Sequence, residues 1–152
     1  MKPKFNKNYK GMQCRVCLVR EGEEQSVKIS GPEDIYDLVR DDMACADREM
    51  LLSIMLATSN RLIGVETVSI GTLNSSMTSP REVFKSAILS NANGIILCHN
   101  HPSGDLSPSP SDYLITDEMT KVGELLGIDV LDHIIVSHAG YKSLKEEQKK
   151  NR

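Results

Sequence analysis

The sequence predicts an α+β domain in which helices flank a largely antiparallel or mixed sheet. Three observations carry this reading. Short runs rich in β-branched and apolar residues are bounded by turn residues, and apolar residues recur at helical spacing in three longer segments. The strands also come partly in hairpin pairs, which a strict βαβ alternation would not produce. With 152 residues the chain can bury a core without disulfide or metal staples, and it is read as one domain spanning 1–152.

Residues 1–12 are expected to form a tail. Gln13 to Arg20 tends to alternate, and the turn Glu21-Gly22-Glu23-Glu24 leads to a short strand from Gln25 to Ile29, a hairpin signal with an edge open to pairing. Gly31-Pro32 opens a helix to about Ala46, with Ile35, Leu38, Val39 and Met43 on its inner face. Met50 to Leu56 is too short for a buried helix, and Leu62 to Ile70 is rich in β-branched residues. These are read as two antiparallel strands joined through Thr58-Ser59-Asn60. A second helix starts at Pro80 after the cap Ser79, with Glu82 completing a capping box and Val83, Phe84, Ala87, Ile88 and Leu89 buried. Gly94 to Cys98 is a compact apolar run, read as a central strand. The loop HNHPSGDLSPSPSD follows, then a helix from about Ser111 to Leu126 stopped by Gly127. Ile128 to Ser137 forms a further strand, His138-Ala139-Gly140 a turn, and Tyr141-Lys142-Ser143 a last short segment before a charged tail over 146–152.

Composition narrows the function classes. No apolar run approaches the roughly 20 residues of a membrane span, and the basic start lacks the apolar stretch of a secretory signal, so a cytoplasmic protein is expected. The net charge of −3 is spread along the chain. Lysines and an arginine cluster only at the ends (Lys2, Lys4, Lys7, Lys10; Lys145, Lys149, Lys150, Arg152), so charge gives direct DNA binding no support. Cys14 and Cys17 are spaced C-x-x-C, but no second pair follows, and on a strand they would face opposite ways; with Cys45 and Cys98 they are read as reduced structural thiols.

The chemistry concentrates after the central strand. His99 and His101 are two apart, so continued strand geometry turns both rings to one face. Pro102 then forces the chain out of the sheet, and Asp112 at the start of the next helix can be aimed back at them. Two imidazoles and a carboxylate form a catalytic rather than a structural zinc set, since the fourth position is left to water.

His99-Asn100-His101-Pro102 with Ser109 and Asp112 follows H-x-H-x₇-S-x₂-D, and the chain thereby resembles the JAMM (MPN-plus) metalloproteases. SPREVFKSAILSNANGIILCHNHPSGDLSPSPSD and LGIDVLDHIIVS are similar to the RadC branch of that superfamily, over roughly residues 30–145. The resemblance implies an MPN/JAMM-type, cytidine deaminase-like fold and Zn²⁺ bound by His99, His101 and Asp112. It places the family's oxyanion-binding serine on Ser109. Its general base aligns best with Glu49 of REMLLSIML; Glu66 and Glu82 are rivals, and Asp47 would share the face of Glu49. The implied activity is zinc metallopeptidase chemistry on a peptide or protein substrate.

Other readings stay beside this one. An HNH nuclease draws its letters from separated positions, unlike the contiguous tripeptide here. On the last long strand, at most one of Asp132 and His133 faces the metal site, and His138 is expected in solvent. RadC-like proteins carry a historical DNA-repair label, so an accessory role in repair or recombination without peptidase activity is the alternative. Fuller members have an N-terminal helix-hairpin-helix region, which this sequence does not show. A purely structural zinc has no need of an oxyanion donor, although Asp112, Ser109 and Ser111 can each also be read as plain loop or cap residues.

Overall fold

The computed structural model describes residues 16–18, 26–71 and 78–150. Its first helix, α1 (Pro32–Met43), starts where the Asp34 carboxylate accepts the backbone N–H of Ser30 at 2.6 Å and of Gly31 at 3.2 Å. It stops short of the expected Ala46 because Met43 is its last buried position and Cys45 is already exposed. The strands β1 (Met50–Leu56) and β2 (Leu62–Ile70) form the expected antiparallel hairpin, turning at Asn60 with φ 59°. Then come α2 (Pro80–Leu89), β3 (Gly94–Asn100), α3 (Pro110–Leu126), β4 (Asp129–Ser137), β5 (Gly140–Ser143) and α4 (Leu144–Lys150).

The sheet is mixed, in the order β2-β1-β3-β4-β5. β1 is antiparallel to both its neighbours, β3 and β4 are parallel with α3 as their crossover, and β5 returns antiparallel on β4. Helices cover both faces. Ile35, Val39 and Met43 of α1 pack on Leu52, Ile54, Ile96, Cys98, Ile134 and Val136. On the other face Val83, Phe84 and Ala87 of α2, with Ile115 and Met119 of α3, cover Leu51, Met55, Ile95 and Leu97. The core is aliphatic, as the scarcity of aromatics requires.

Several expectations are corrected or fall elsewhere. Ser79 starts α2 but makes no side-chain cap bond, and Glu82 reaches Lys85 at 2.6 Å instead of turning back to the cap. A lysine one turn on offers a charged partner that outcompetes a lone backbone N–H. Ile88 is 52% exposed, so the buried stripe of α2 is narrower than expected. Most of the hairpin from Gln13 to Ile29 lies outside the described residues, as does Cys14; residues 16–18 carry no strand. Its second arm reduces to one bridge, Lys28 with Arg61, flanked by Ile29 N–H to Asn60 O (2.9 Å) and Leu62 N–H to Val27 O (2.8 Å).

Where α3 crosses back onto the sheet, Gly123 allows the approach: a Cβ there would stand 2.4 Å from the carbonyl oxygen of Ile128 and 3.4 Å from Phe84. Helix propensity alone favours Gly→Ala by about 1 kcal/mol. The contact reverses the sign. Gly123→Ala should destabilise by roughly 1–3 kcal/mol, the usual overpacking cost, measured by urea unfolding; a gain in stability would show that the helix shifts at little cost.

Candidate metal centre

β3 continues two residues past the apolar run that announced it. Its parallel ladder with β4 carries on through His99–Ile135 and Asn100–Val136, and His101 N–H still donates to Val136 O at 2.9 Å. Leu97, His99 and His101 therefore share one face, the face covered by α2 and α3. Asp112 is the third residue of α3. Ser109, at the helix N-cap, accepts the Asp112 N–H on its Oγ at 3.2 Å, while Asp112 Oδ2 accepts the Ser109 N–H at 2.7 Å. This is a reciprocal capping box. It locks the carboxylate's rotamer and leaves Oδ1 aimed at the strand end.

The three side chains converge. His99 Nε2 lies 2.9 Å from His101 Nε2 and 3.2 Å from Asp112 Oδ1, and His101 Nε2 lies 3.7 Å from Asp112 Oδ2. All three ligand atoms fit within 4.8 Å of one another. Tetrahedral coordination with bonds of 2.0–2.1 Å puts neighbouring donors about 3.3 Å apart, and these distances bracket that edge. His101 Nδ1 stands 2.6 Å from the Asp105 carbonyl oxygen. A carbonyl only accepts, so Nδ1 carries the proton and the neutral ring turns its Nε2 lone pair to the centre. Lone pairs that face each other this closely need a positive charge between them, and the donor set suits a divalent ion.

The electrostatics express the same need. Burial pushes the Asp112 carboxyl up, but its bonds to His101 and His99 outweigh that and hold it well below the ordinary carboxylate range. The bond to Asp112 raises His101 against its own burial, with the Asp105 carbonyl and the charge of Glu49 adding to the rise. A proton on His101 is the substitute for a cation. Burial, reinforced by His99 and His101, drives His133 far below the usual imidazole value despite the pull of Asp112, so it is neutral near pH 7.

Glu49 comes to this centre through strand register. Leu51 pairs with His99 across β1 and β3, and Glu49, two residues before that pair, lines the same cleft as His101, whose imidazole feels its charge. Asn100, between the two histidines, points to the other face. Its Oδ1 accepts Met50 N–H at 2.6 Å and its Nδ2 donates to Arg48 O at 2.9 Å, clamping the backbone on both sides of Glu49. An open cleft of about 740 Å³ is lined by Glu49, Asp47, His101, Ser109 and Asp112 together with the loop of Pro102, Ser103 and Asp105. Glu66 and Glu82 do not line it. Glu66 pairs with Ser53 on the edge hairpin, and Glu82 is on the exposed side of α2.

Of Asp132 and His133, only the histidine faces the centre, with Nε2 2.7 Å from His99 Nδ1. Asp132 instead binds Ser143 Oγ at 2.6 Å and Lys145 N–H at 3.2 Å, holding the start of α4. His138 is exposed, but its ring packs on Gly104, whose φ of +86° and lack of Cβ admit it. Thr116, one turn after Asp112, belongs to the site and was not singled out from sequence. Its spacing of four from Asp112 is the signal that could have found it.

Residues 29–149 match the family model described as a RadC-like JAB domain. A UPF0758 protein of Methanosarcina mazei is 47% identical over 125 residues, covering 82% of this chain and 55% of the relative. Another, of Desulforamulus reducens, is 49% identical over 124 residues with the same coverage of each chain, 82% and 55%. A third, of Desulforudis audaxviator, is 48% identical over 133 residues, 88% of this chain and 57% of the relative. The chain spans little more than half the length of these curated relatives.

Proposed function

Because the chain belongs to the RadC-like JAB domain family, we propose that it is a zinc-dependent hydrolase that cleaves an amide or isopeptide bond in a peptide or protein substrate. The observation that carries the reading is the convergence of His99, His101 and Asp112, the last two lining a cleft that Glu49 and Ser109 also line. The chemistry a bound Zn²⁺ supplies is Lewis-acid activation of a water and of the substrate carbonyl.

The protein's own groups do the rest. Glu49 takes the proton from the attacking water and returns it to the departing amine, which requires a carboxylate at the cleft wall and not in the core. Ser109 spends its acceptor lone pair on the Asp112 N–H, so its O–H is left to donate to the oxygen that gains charge as the carbonyl is attacked. The capping box thus fixes a ligand and an oxyanion donor with one helix start. Among the described residues no serine of the cleft has the base partner that covalent catalysis would need, and Cys98 is buried on the opposite face of β3 with its thiol pushed far up by burial.

Zinc-loaded protein incubated with peptide and isopeptide libraries should release new amino termini, and a chelator should abolish this until zinc is restored. Cleavage that survives chelation overturns the metal mechanism. No cleavage, together with salt-dependent binding of branched DNA, would favour an accessory role in repair instead.

A further inference from the structure

Behind the metal centre, three hydrogen bonds run inward from one ligand to the backbone of another. His99 Nδ1 meets His133 Nε2 at 2.7 Å, His133 Nδ1 meets Thr116 Oγ1 at 2.6 Å, and the Thr116 hydroxyl donates to the Asp112 carbonyl oxygen at 2.6 Å. Proton positions follow from the far end. A carbonyl can only accept, so Thr116 commits its single proton there. Its oxygen must then accept from His133 Nδ1–H. A neutral imidazole has one N–H, so His133 Nε2 is left as an acceptor and takes the Nδ1–H of His99. The His99 Nε2 lone pair is thereby turned toward His101 and Asp112. His99 and His133 are fully buried, and no solvent competes for these bonds.

We propose that His133 and Thr116 are positioning residues that hold His99 in its Nδ1–H tautomer and fix the plane of its ring, so that this ligand meets a divalent cation ready-formed. The same threonine anchors the first turn of α3, so the relay also ties the strand ligand to the helix ligand. Neither residue touches the cleft, whose lining excludes both. His133 acts on the ion only through His99, and Thr116 through His133 and through the backbone of Asp112.

The inference rests on the metal-centre reading, and zinc affinity separates the two. Competition against a chromophoric chelator gives the dissociation constant for wild type, His133→Phe, His133→Gln, Thr116→Val and Thr116→Ser. His133→Phe and Thr116→Val, which remove the acceptors, should weaken zinc binding roughly 10–100-fold, as lost outer partners of a ligand histidine do. His133→Gln, whose amide oxygen can take the Nδ1–H, and Thr116→Ser should restore most of the affinity. A structural role alone would not track acceptor chemistry in this way. In the zinc-free wild type, histidine ring ¹⁵N shifts should show His99 protonated at Nδ1, and Thr116→Val should blur that preference; this arm survives if His133→Phe does not fold. Failure of wild type to take up zinc would overturn the metal centre and this proposal with it. Zinc uptake with unchanged affinity in the acceptor-deleting variants, or a His99 protonated at Nε2, overturns the relay alone.

Discussion

Glu49→Gln should fold, take up zinc like the wild type and lose roughly 10²–10⁴-fold in turnover, the range that a positioned general base contributes. Glutamine keeps the shape and the neighbours of glutamate but cannot accept a proton. The size of the expected loss rests on placement. Glu49 lines the cleft beside His101, two residues before the Leu51–His99 pair, and Asn100 holds the backbone of Arg48 and Met50 on either side of it. Matched Glu66→Gln and Glu82→Gln variants act as controls, because one carboxylate sits on the edge hairpin and the other pairs with Lys85 in solvent. Both should keep near-wild-type turnover. The decisive measurement is single-turnover cleavage at saturating substrate with zinc content determined on the same samples. Undiminished turnover by folded, zinc-loaded Glu49→Gln would remove the assignment, and a loss in Glu66→Gln alone would transfer it.

How far the sequence could be read depended on whether a signal was local. The β1–β2 hairpin and the buried strand β3 were legible because apolar and β-branched runs ended at turn residues. The last two residues of β3 were not, since His99 and Asn100 look like loop. They stay in a buried strand only because distant partners satisfy them, His133 in one case and the backbone at residues 48–50 in the other. The capping box expected at α2 fails for a similar reason. Ser79 with Glu82 and Ser109 with Asp112 have the same spacing, but Lys85 draws Glu82 away, while Asp112 has no cation one turn on and closes its box. The choice between Asp132 and His133 could not be made from alternation. β4 carries an irregularity at Leu131, where Ile95 pairs with Val130 but Ile96 with Asp132, and that bulge reverses which side chains face α3. That His99, His101 and Asp112 come together was legible because their spacing is a motif. Their supporting groups Thr116 and Asn100 were not, because their roles exist only after the strands pair.

Removing a ligand should abolish zinc binding outright, but the substitution must be chosen so that the fold is not lost with it. Asp112→Ala would delete a ligand and break the capping box at once, and cap loss alone costs about 0.5–2 kcal/mol. Asp112→Asn separates the two. Its amide oxygen can still accept the Ser109 N–H, and its amide N–H can donate to an imidazole Nε2 that otherwise needs a cation or a proton. The variant's zinc-free form should therefore be at least as stable as the zinc-free wild type while binding no ion. His99→Ala should also lose zinc, yet it opens a cavity in a fully buried position and leaves His133 without its donor, so it should be the less stable of the two. Thermal melts with and without zinc distinguish these effects. At free zinc of 100 times the dissociation constant the ion adds about 2.7 kcal/mol to the wild type, which for a domain of this size is a rise of about 5–10 °C. Asp112→Asn should show no rise. A zinc-dependent shift in Asp112→Asn equal to that of the wild type would mean that the ion binds elsewhere, because an amide in place of this carboxylate cannot supply the negative charge that two neutral imidazoles lack.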